Sequence, residues 1–284
     1  MDSDGTSARN LTKSAIDEFS PVVSSDGKLV AFLSGSGDNI ALEVMEVSGT
    51  SRQVLASASG THRDPQWSPN DIRIAYIAEN GEETYLYVIN ANGTQPMLLT
   101  SVPGNEIGGW SPDGTSVVFA VSEGEEQGIY IRNPDGVNEF RRTDTPDFSP
   151  VWSTDSERIA FLSRRDGNPE IYVMNTDGSN QFRLTETEAL EYDISWSPNG
   201  ERLLFVSERD GNAEIYIAEL ESDSQVRLTH NEVKDEHPVW SPNGDKIAFT
   251  SHLDADTEIF IMDSDGDNQT RLTNNESEDT NPSW

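Results

Sequence analysis

The chain has 284 residues, with 51 acidic and 19 basic side chains, a net charge of −32 and no cysteine. This charge disfavours nucleic acid and anionic lipid, and the missing cysteine excludes disulfides, thiolate metal sites and a cysteine nucleophile. The acidic charge favours the binding of cations and of cationic partners. Together with the presence of only four lysines, it is typical of either a halophilic source or an acidic exported protein. No stretch approaches the about 18 apolar residues of a membrane helix, so no membrane insertion is predicted. No basic, apolar and small-residue pattern opens the chain, so no signal peptide is predicted either.

A short sequence with Trp-Ser-Pro at its start recurs along the chain. The copies read VSSDG from Val23, WSPND from Trp67, WSPDG from Trp110, WSTDS from Trp152 and WSPNG from Trp196 and Trp240, and Trp284 ends the chain. The spacings between successive copies are 44, 43, 42, 44, 44 and 44 residues. Such regularity predicts one structural unit of about 44 residues that is used repeatedly.

Each repeat contains four short runs rich in β-branched and aromatic residues, which we name A to D. In the fifth copy they are DISWS (193–197), RLLFVS (202–207), EIYIA (214–218) and QVRLT (225–229). Ser-Pro-Asp/Asn-Gly joins A to B, where Pro presets φ and Gly accepts a positive φ. Asp-Gly sequences join C to D as hairpins. Six sets of four antiparallel strands predict an all-β, six-bladed β-propeller.

The two ends of the chain share about half an extra repeat. MDSDGTSARNLT at 1–12 copies MDSDGDNQTRLT at 262–273. We predict one propeller domain over 1–284, with the strand at 6–12 closing the ring on the last blade and 264–284 forming a redundant partial repeat. Closure matters because it removes exposed sheet edges. A seven-bladed ring, or a piece of a longer array, are the alternatives.

These repeats resemble the TolB-type propeller family. The resemblance is carried by SPVWSTDSERIAFLSRRDGNPEIYVMNTDGSNQFRLT (149–185) and HPVWSPNGDKIAFTSHLDADTEIFIMDSDGDNQTRLT (237–273), and it extends over essentially the whole chain. It implies an extracytoplasmic, periplasmic or secreted, scaffold that binds proteins through one propeller face. Other relatives precede a peptidase domain or act as lyases on uronate sugars, and a cytoplasmic location stays open.

The loops that enter the A strands carry the candidate site. Five residues before each copy of the Trp stand four carboxylates, which are the predicted metal ligands: Glu18, Asp147, Glu191 and Asp235. In a propeller the A strands line the central channel, so these loops lie at the mouth of that channel. The positions five and three residues before each Trp supply the other candidates for binding at the mouth: His62, Asp64, Asn105, Asp193 and His237. Carboxylates brought close together repel one another, and Ca²⁺ with 6–8 oxygen ligands relieves this. The alternative is that these acids are solvated or cap backbone amides.

Two further patterns have a structural and a chemical interpretation. Three sets could be acid pairs for hydrolysis, but their recurrence favours turn and strand-start roles: Asp166 with Glu170, Asp210 with Glu214, and Asp256 with Glu258. The repeated Trp residues could stack on sugars, but their position favours packing between blades.

The sequence and the resemblance therefore predict a non-catalytic binding propeller with a protein or peptide partner. No cofactor is certain, and Ca²⁺ is the candidate cation at the acidic mouth of the channel. The alternative is a metal-assisted lyase or hydrolase acting on a sugar or peptide substrate, with His62, His237 and the acidic residues as its site. No HExxH or GxSxG sequence is present to support a known hydrolase arrangement.

Overall fold

A computed structural model describes residues 10–57, 60–81, 83–100, 105–121, 124–222, 224–253, 256–274 and 278–284. The regular structure of these residues is entirely β-strand. The chain divides into two compact units, an N-terminal unit that ends at Trp152 and a C-terminal unit that begins at Ser153. Within the part of the chain that is described, no helix has the length and apolar character needed to cross a bilayer.

The N-terminal unit contains the first thirteen strands. They are β1 (Glu18–Val23), β2 (Leu29–Ser36), β3 (Asn39–Glu46), β4 (Gln53–Ala56), β5 (Thr61–Trp67), β6 (Arg73–Asn80), β7 (Glu83–Asn90), β8 (Met97–Thr100), β9 (Asn105–Trp110), β10 (Val117–Val121), β11 (Gly128–Arg132), β12 (Glu139–Arg141) and β13 (Asp147–Trp152). These segments are rich in Val, Ile, Tyr and Phe and are separated by Gly, Pro, Asn and Asp, as expected for short strands joined by turns.

The C-terminal unit contains the remaining strands. They are β14 (Arg158–Ser163), β15 (Glu170–Asn175), β16 (Phe182–Arg183), β17 (Glu191–Trp196), β18 (Arg202–Ser207), β19 (Glu214–Glu219), β20 (Gln225–Arg227), β21 (Asp235–Trp240), β22 (Lys246–Ser251), β23 (Glu258–Asp263) and β24 (Thr270–Arg271).

The strands form six four-stranded antiparallel sheets, and the strand order in each sheet follows the chain. We call these sheets blades 1 to 6, and the four strands of each blade A to D. This confirms the predicted all-β propeller with four strands per blade.

The B and C strands form the apolar centre of each blade. In β14 and β18 the five residues after the first are all buried, which is typical of strands covered on both faces. An aromatic pair joins B to C: Phe161 and Tyr172 lie 5.8 Å apart and Phe205 and Tyr216 lie 5.6 Å apart, centroid to centroid. Such stacked pairs add to the stabilisation from burial alone.

Several of the repeated Trp residues connect neighbouring A strands through hydrogen bonds, in keeping with their predicted packing role. The indole Nε1 of Trp67 donates to Val22 O at 2.8 Å, and that of Trp110 donates to Gln66 O at 3.1 Å. In the C-terminal unit Trp284 repeats this bond to Val239 O at 3.2 Å. A buried indole N–H needs such an acceptor.

The prediction about ring closure falls partly on residues 1–9, which lie outside the described part of the chain. Leu11 packs against Val30, Phe32 and Met45 of blade 1. In blade 6 the outermost strand is β24, which pairs with β23 through Phe260 and Arg271. Closure by the strand at 6–12, and the redundancy of 264–284, stay predictions.

Candidate functional site

A bulge near the start of the A strands positions the candidate side chains. The residue three places before the Trp, or before Val23, has a left-handed backbone in five A strands, with φ between 48° and 54°: Ser20, Asp64, Ser149, Asp193 and His237. The A–B pairing shifts register around this residue in blades 1, 2, 5 and 6. A left-handed non-glycine residue costs roughly 1 kcal/mol, and bulges redirect side chains. Three of the predicted site residues, Asp64, Asp193 and His237, are therefore bulge residues.

The predicted metal ligands begin the A strands, and the structure gives each its own local partner. Arg52 Nη1 donates to Glu18 Oε1 at 2.6 Å, and Thr145 Oγ1 donates to Asp147 Oδ2 at 2.7 Å. Glu191 forms an ion pair with Arg209. Asp235 Oδ2 accepts a hydrogen bond from Asn231 Nδ2 at 2.7 Å.

Three of these four carboxylates, Asp147, Glu191 and Asp235, are almost completely buried. Burial raises the pKa of Glu191 and of Asp235, in each case against hydrogen bonds that lower it. Among the described residues no group of three or more His, Asp or Glu side chains is placed to hold a metal ion. Ca²⁺ binding by these four residues stays a prediction.

The three candidates of blades 2 and 3 do not form a common site. His62 is buried, and its Nδ1 lies 2.5 Å from Ile40 O. Asp64 is exposed and forms an ion pair with Arg63, with 2.5 Å between Nη1 and Oδ2. Asn105 begins β9, but its side chain lies outside the described part of the chain.

Two of the predicted residues do contact each other in the C-terminal unit. The backbone N–H of His237 donates to Asp193 Oδ2 at 3.0 Å, and His237 Nε2 lies 3.9 Å from the same oxygen. Burial raises the pKa of Asp193, partly offset by this hydrogen bond. The side chain of His237 is 40% exposed, so the pair can reach a ligand.

A second pair of hydrogen bonds lies on the adjoining residues. Tyr192 Oη donates to Glu236 Oε1 at 2.8 Å, and His252 Nε2 lies 2.8 Å from Glu236 Oε2. Burial alone would raise the pKa of Glu236, but the bonds with Tyr192 and His252 outweigh it and lower this pKa. The pKa of Tyr192 is raised, by burial and by its bond to Glu236. We call Tyr192, Asp193, Glu236, His237 and His252 the A-strand cluster.

Sequence reasoning missed three members of this cluster. Tyr192 and Glu236 each stand four residues before a Trp, and the same position holds Phe19, Arg63, Glu106 or Phe148 in the other copies. No one residue type prevails at this position, so the repeat itself gave no signal for Tyr192 or Glu236. His252 follows β22 and joins the cluster only through the fold.

The Asp-Gly-Asn and Glu sets have structural roles. Glu170 and Glu214 are completely buried and pair with D-strand arginines, Arg183 at 2.8 Å and Arg227 at 2.7 Å. Asn212 Nδ2 donates to Val233 O at 2.5 Å and so fixes the loop into the next A strand. Because the same bonds recur from blade to blade, they support the turn and strand-start interpretation of these acids.

The fold and the A-strand cluster define a β-propeller with a polar surface where A strands begin. The chain belongs to the TolB β-propeller family, because the model of the TolB beta propeller domain matches residues 1–145. The model of the dipeptidyl peptidase IV N-terminal region matches residues 209–282. A comparison with curated proteins found no match.

Solved structures agree with this family. Putative TolB from Agrobacterium tumefaciens is 26% identical with a TM-score of 0.61, over 78% of this chain and 84% of that one. TolB from Acinetobacter baumannii is 21% identical with a TM-score of 0.66, over 90% of this chain and 66% of that one. An oligogalacturonate lyase in complex with manganese is 13% identical with a TM-score of 0.69, over 89% of this chain and 78% of that one. The last two show the fold alone.

Proposed function

We propose that this chain is a non-catalytic binding propeller of TolB type that docks a protein or peptide partner. The docking surface is the face of the C-terminal unit where the A strands begin, with the A-strand cluster at its centre. The family supports a scaffold function outside the cytoplasm, and the net charge of −32 supports a partner with a cationic surface.

One observation carries this proposal. The charged groups that recur in the blades, such as Glu170 and Glu214, are used in buried ion pairs with Arg183 and Arg227. By contrast, His237 and His252 stand at positions where no one residue type prevails in the repeat, and they remain partly exposed beside carboxylates. Polar groups held in place by neighbouring bonds, and still open to solvent, suit the recognition of a polar surface.

The proposal is tested by capturing partners from an extracytoplasmic protein extract, with cross-linking and mass spectrometry to identify them. A partner purified afterwards is measured against wild type and the double variant Asp193→Asn/His237→Ala. We expect this variant to weaken binding at least about tenfold, as for centrally placed interface residues. Asp177→Asn, in the exposed C–D turn of blade 4, is the matched control and leaves the affinity unchanged. Equal binding by the double variant would contradict the docking surface.

A metal-assisted lyase or hydrolase is the second candidate, and the contact between Asp193 and His237 favours it. A carboxylate beside an imidazole can take part in proton transfer. The acidic surface opposes it for uronate substrates, because like charges repel unless a metal reverses the local field. Incubation with oligogalacturonate or peptides, with and without Mn²⁺, separates the two candidates. Turnover that is lost in His237→Ala would establish the enzyme and overturn the binding role.

A further inference from the structure

Blade 2 contains an aromatic cavity in the N-terminal unit, separate from the A-strand cluster. Its volume is about 430 Å³, and Tyr76, Tyr85, Tyr87 and His62 contribute the rings of its lining. Tyr76 and Tyr87 stack with 5.6 Å between centroids and 17° between planes. His62 lies 5.5 Å from Tyr76, and Tyr85 lies 6.3 Å from Tyr87. The cavity therefore offers several ring faces and edges to one guest.

Blades 4 and 5 show what occupies this position when the repeat is kept. The guanidinium of Arg165 lies 4.4 Å from the Tyr172 ring and 5.5 Å from the Phe161 ring. Arg209 lies 4.6 Å from Tyr216 and 5.5 Å from Phe205. These distances are within the range of a cation–π interaction.

A hydroxyl and an amide hold these arginines in place. Arg165 Nε donates to Ser163 Oγ at 2.8 Å, and its Nη1 donates to Gln181 Oε1 at 2.8 Å. Arg209 makes the same two bonds, to Ser207 Oγ at 2.8 Å and to Gln225 Oε1 at 2.7 Å. Both blades thus bind their own guanidinium on an aromatic pair.

Blade 2 keeps the aromatic pair but not the arginine. Tyr76 pairs with Tyr87 in the B–C register, as Phe161 pairs with Tyr172. Four residues after Tyr76 stands Asn80 in place of the arginine, and two residues after it stands Ala78 in place of the serine. Tyr76, Ala78 and Asn80 share one face of β6, because side chains alternate along a strand. The described residues that line the cavity include neither lysine nor arginine.

The residue two places before the C-strand tyrosine also differs. Tyr85 stands two residues before Tyr87, where blades 4 and 5 have the buried Glu170 and Glu214 two residues before Tyr172 and Tyr216. The Tyr85 hydroxyl donates to Glu83, which fixes the ring at the edge of the cavity. Tyrosine in place of glutamate removes a buried charge that needs an arginine partner within the blade, and it supplies a third tyrosine ring.

The electrostatics of the cavity suit a cation. Burial raises the pKa of Tyr76 to about 12, so this ring remains a neutral phenol at physiological pH. Glu79 lines the cavity and is held by Arg63 Nε at 2.6 Å, and the chain as a whole carries a net charge of −32. A neutral aromatic face in an acidic protein attracts a flat, weakly hydrated cation.

We propose that this cavity is a binding site for a guanidinium group, an arginine side chain presented by a partner. The guest takes the position over Tyr76 and Tyr87 that Arg165 and Arg209 take over their own aromatic pairs. Arginine is preferred to lysine because its planar group stacks on a ring and sheds water more easily.

The test uses N-acetyl-arginine amide as the probe, titrated into the full chain and followed by NMR. The lysine analogue has the same charge, and the citrulline analogue has nearly the same shape without charge. About 1 M salt, where the screening length is about 3 Å, suppresses diffuse attraction to the acidic surface. We expect the arginine probe to bind about tenfold more tightly than either analogue, as a partly desolvated cation–π contact predicts. Equal affinity for the lysine and arginine probes would overturn the proposal.

Two variants localise the binding. Asn80→Arg supplies the missing guanidinium from within the blade and should abolish binding of the probe, whereas the matched control Asn80→Gln should keep it within about twofold. Tyr85→Ala, at the edge of the cavity, should weaken binding about tenfold and does not depend on how Asn80→Arg folds. Wild-type affinity in both Asn80→Arg and Tyr85→Ala would overturn the site. Since none of these residues belongs to the A-strand cluster, the proposed docking surface can fail or succeed separately.

Discussion

Blade 2 and blade 5 use the same fold for two different purposes. In blade 5 the buried Glu214 pairs with Arg227, and Arg209 covers the rings of Phe205 and Tyr216. In blade 2 Tyr85 and Leu98 stand in place of Glu214 and Arg227, as the pairing of Tyr87 with Leu98 and of Tyr216 with Arg227 shows. A cavity lined by tyrosines results. Where the repeat is kept, charged groups complete the blade internally, and where it is broken, a blade gains a surface for an external group.

The largest effect is expected from breaking the ion pair of blade 5. Arg227→Met leaves Glu214 buried without its charged partner, which should lower the free energy of unfolding by about 3 kcal/mol. Leu98→Ala, at the equivalent and half-exposed position of blade 2, should lower it by less than about 1 kcal/mol. Urea unfolding of both variants measures the difference. Similar losses of unfolding free energy in Arg227→Met and Leu98→Ala would show that the ion pair of blade 5 contributes no more to stability than the equivalent position of blade 2.

A smaller effect concerns the pH dependence of the buried acids. Because burial raises the pKa of Asp235, the folded protein binds this proton more tightly than the unfolded chain does. The resulting stabilisation is fully present below the unfolded pKa and is lost as the pH rises through the raised pKa. Asp235→Asn should therefore flatten the fall of stability with rising pH.

The exposed carboxylate Glu221 supplies the control for this experiment. Glu221→Gln should leave the pH profile as in wild type, measured by urea midpoints over the acidic to neutral range. If Asp235→Asn and Glu221→Gln give the same profile, the buried carboxylate does not control this part of the pH dependence.

The smallest effect should come from rebuilding blade 5 in blade 2. Ala78→Ser/Asn80→Arg restores both the guanidinium and the hydroxyl that holds it, and should raise the free energy of unfolding by about 0.5–1 kcal/mol. Ala78→Ser/Asn80→Gln lacks the cation and should not do so. Differential scanning calorimetry detects the change as a higher melting temperature. A lower melting temperature for the arginine variant alone would mean that the cavity cannot hold a guanidinium.

The sequence predicted the repeated features well, because repetition reveals what each blade needs. The strands, the turn glycines and the Trp packing all recur, and Gly200 and Gly244 have the positive φ that their turns require, 70° and 75°. The sequence alone therefore predicts the propeller and its family.

The candidate site was harder to predict from the sequence, for two physical reasons. The acidic residues at the starts of A strands were predicted as metal ligands, with solvated groups as the alternative. Asp147 and Asp235 are instead buried, and no repeat pattern distinguishes a buried carboxylate from a solvated one. The left-handed bulge at Asp193 and His237, and the arrival of His252 beside Glu236, depend on strand register. The cavity of blade 2 arises from three departures, Ala78, Asn80 and Tyr85, whose common location only the fold shows.

The most direct test of the central claim measures stability and arginine binding together in Arg227→Met and Tyr85→Ala. We expect Arg227→Met to lose about 3 kcal/mol of unfolding free energy and to keep wild-type affinity for N-acetyl-arginine amide. Tyr85→Ala should lose less than half as much stability and bind the probe about tenfold more weakly. If both variants lose stability and probe affinity to the same extent, the residues that keep the repeat and the residues that depart from it do not have separate roles in folding and in binding.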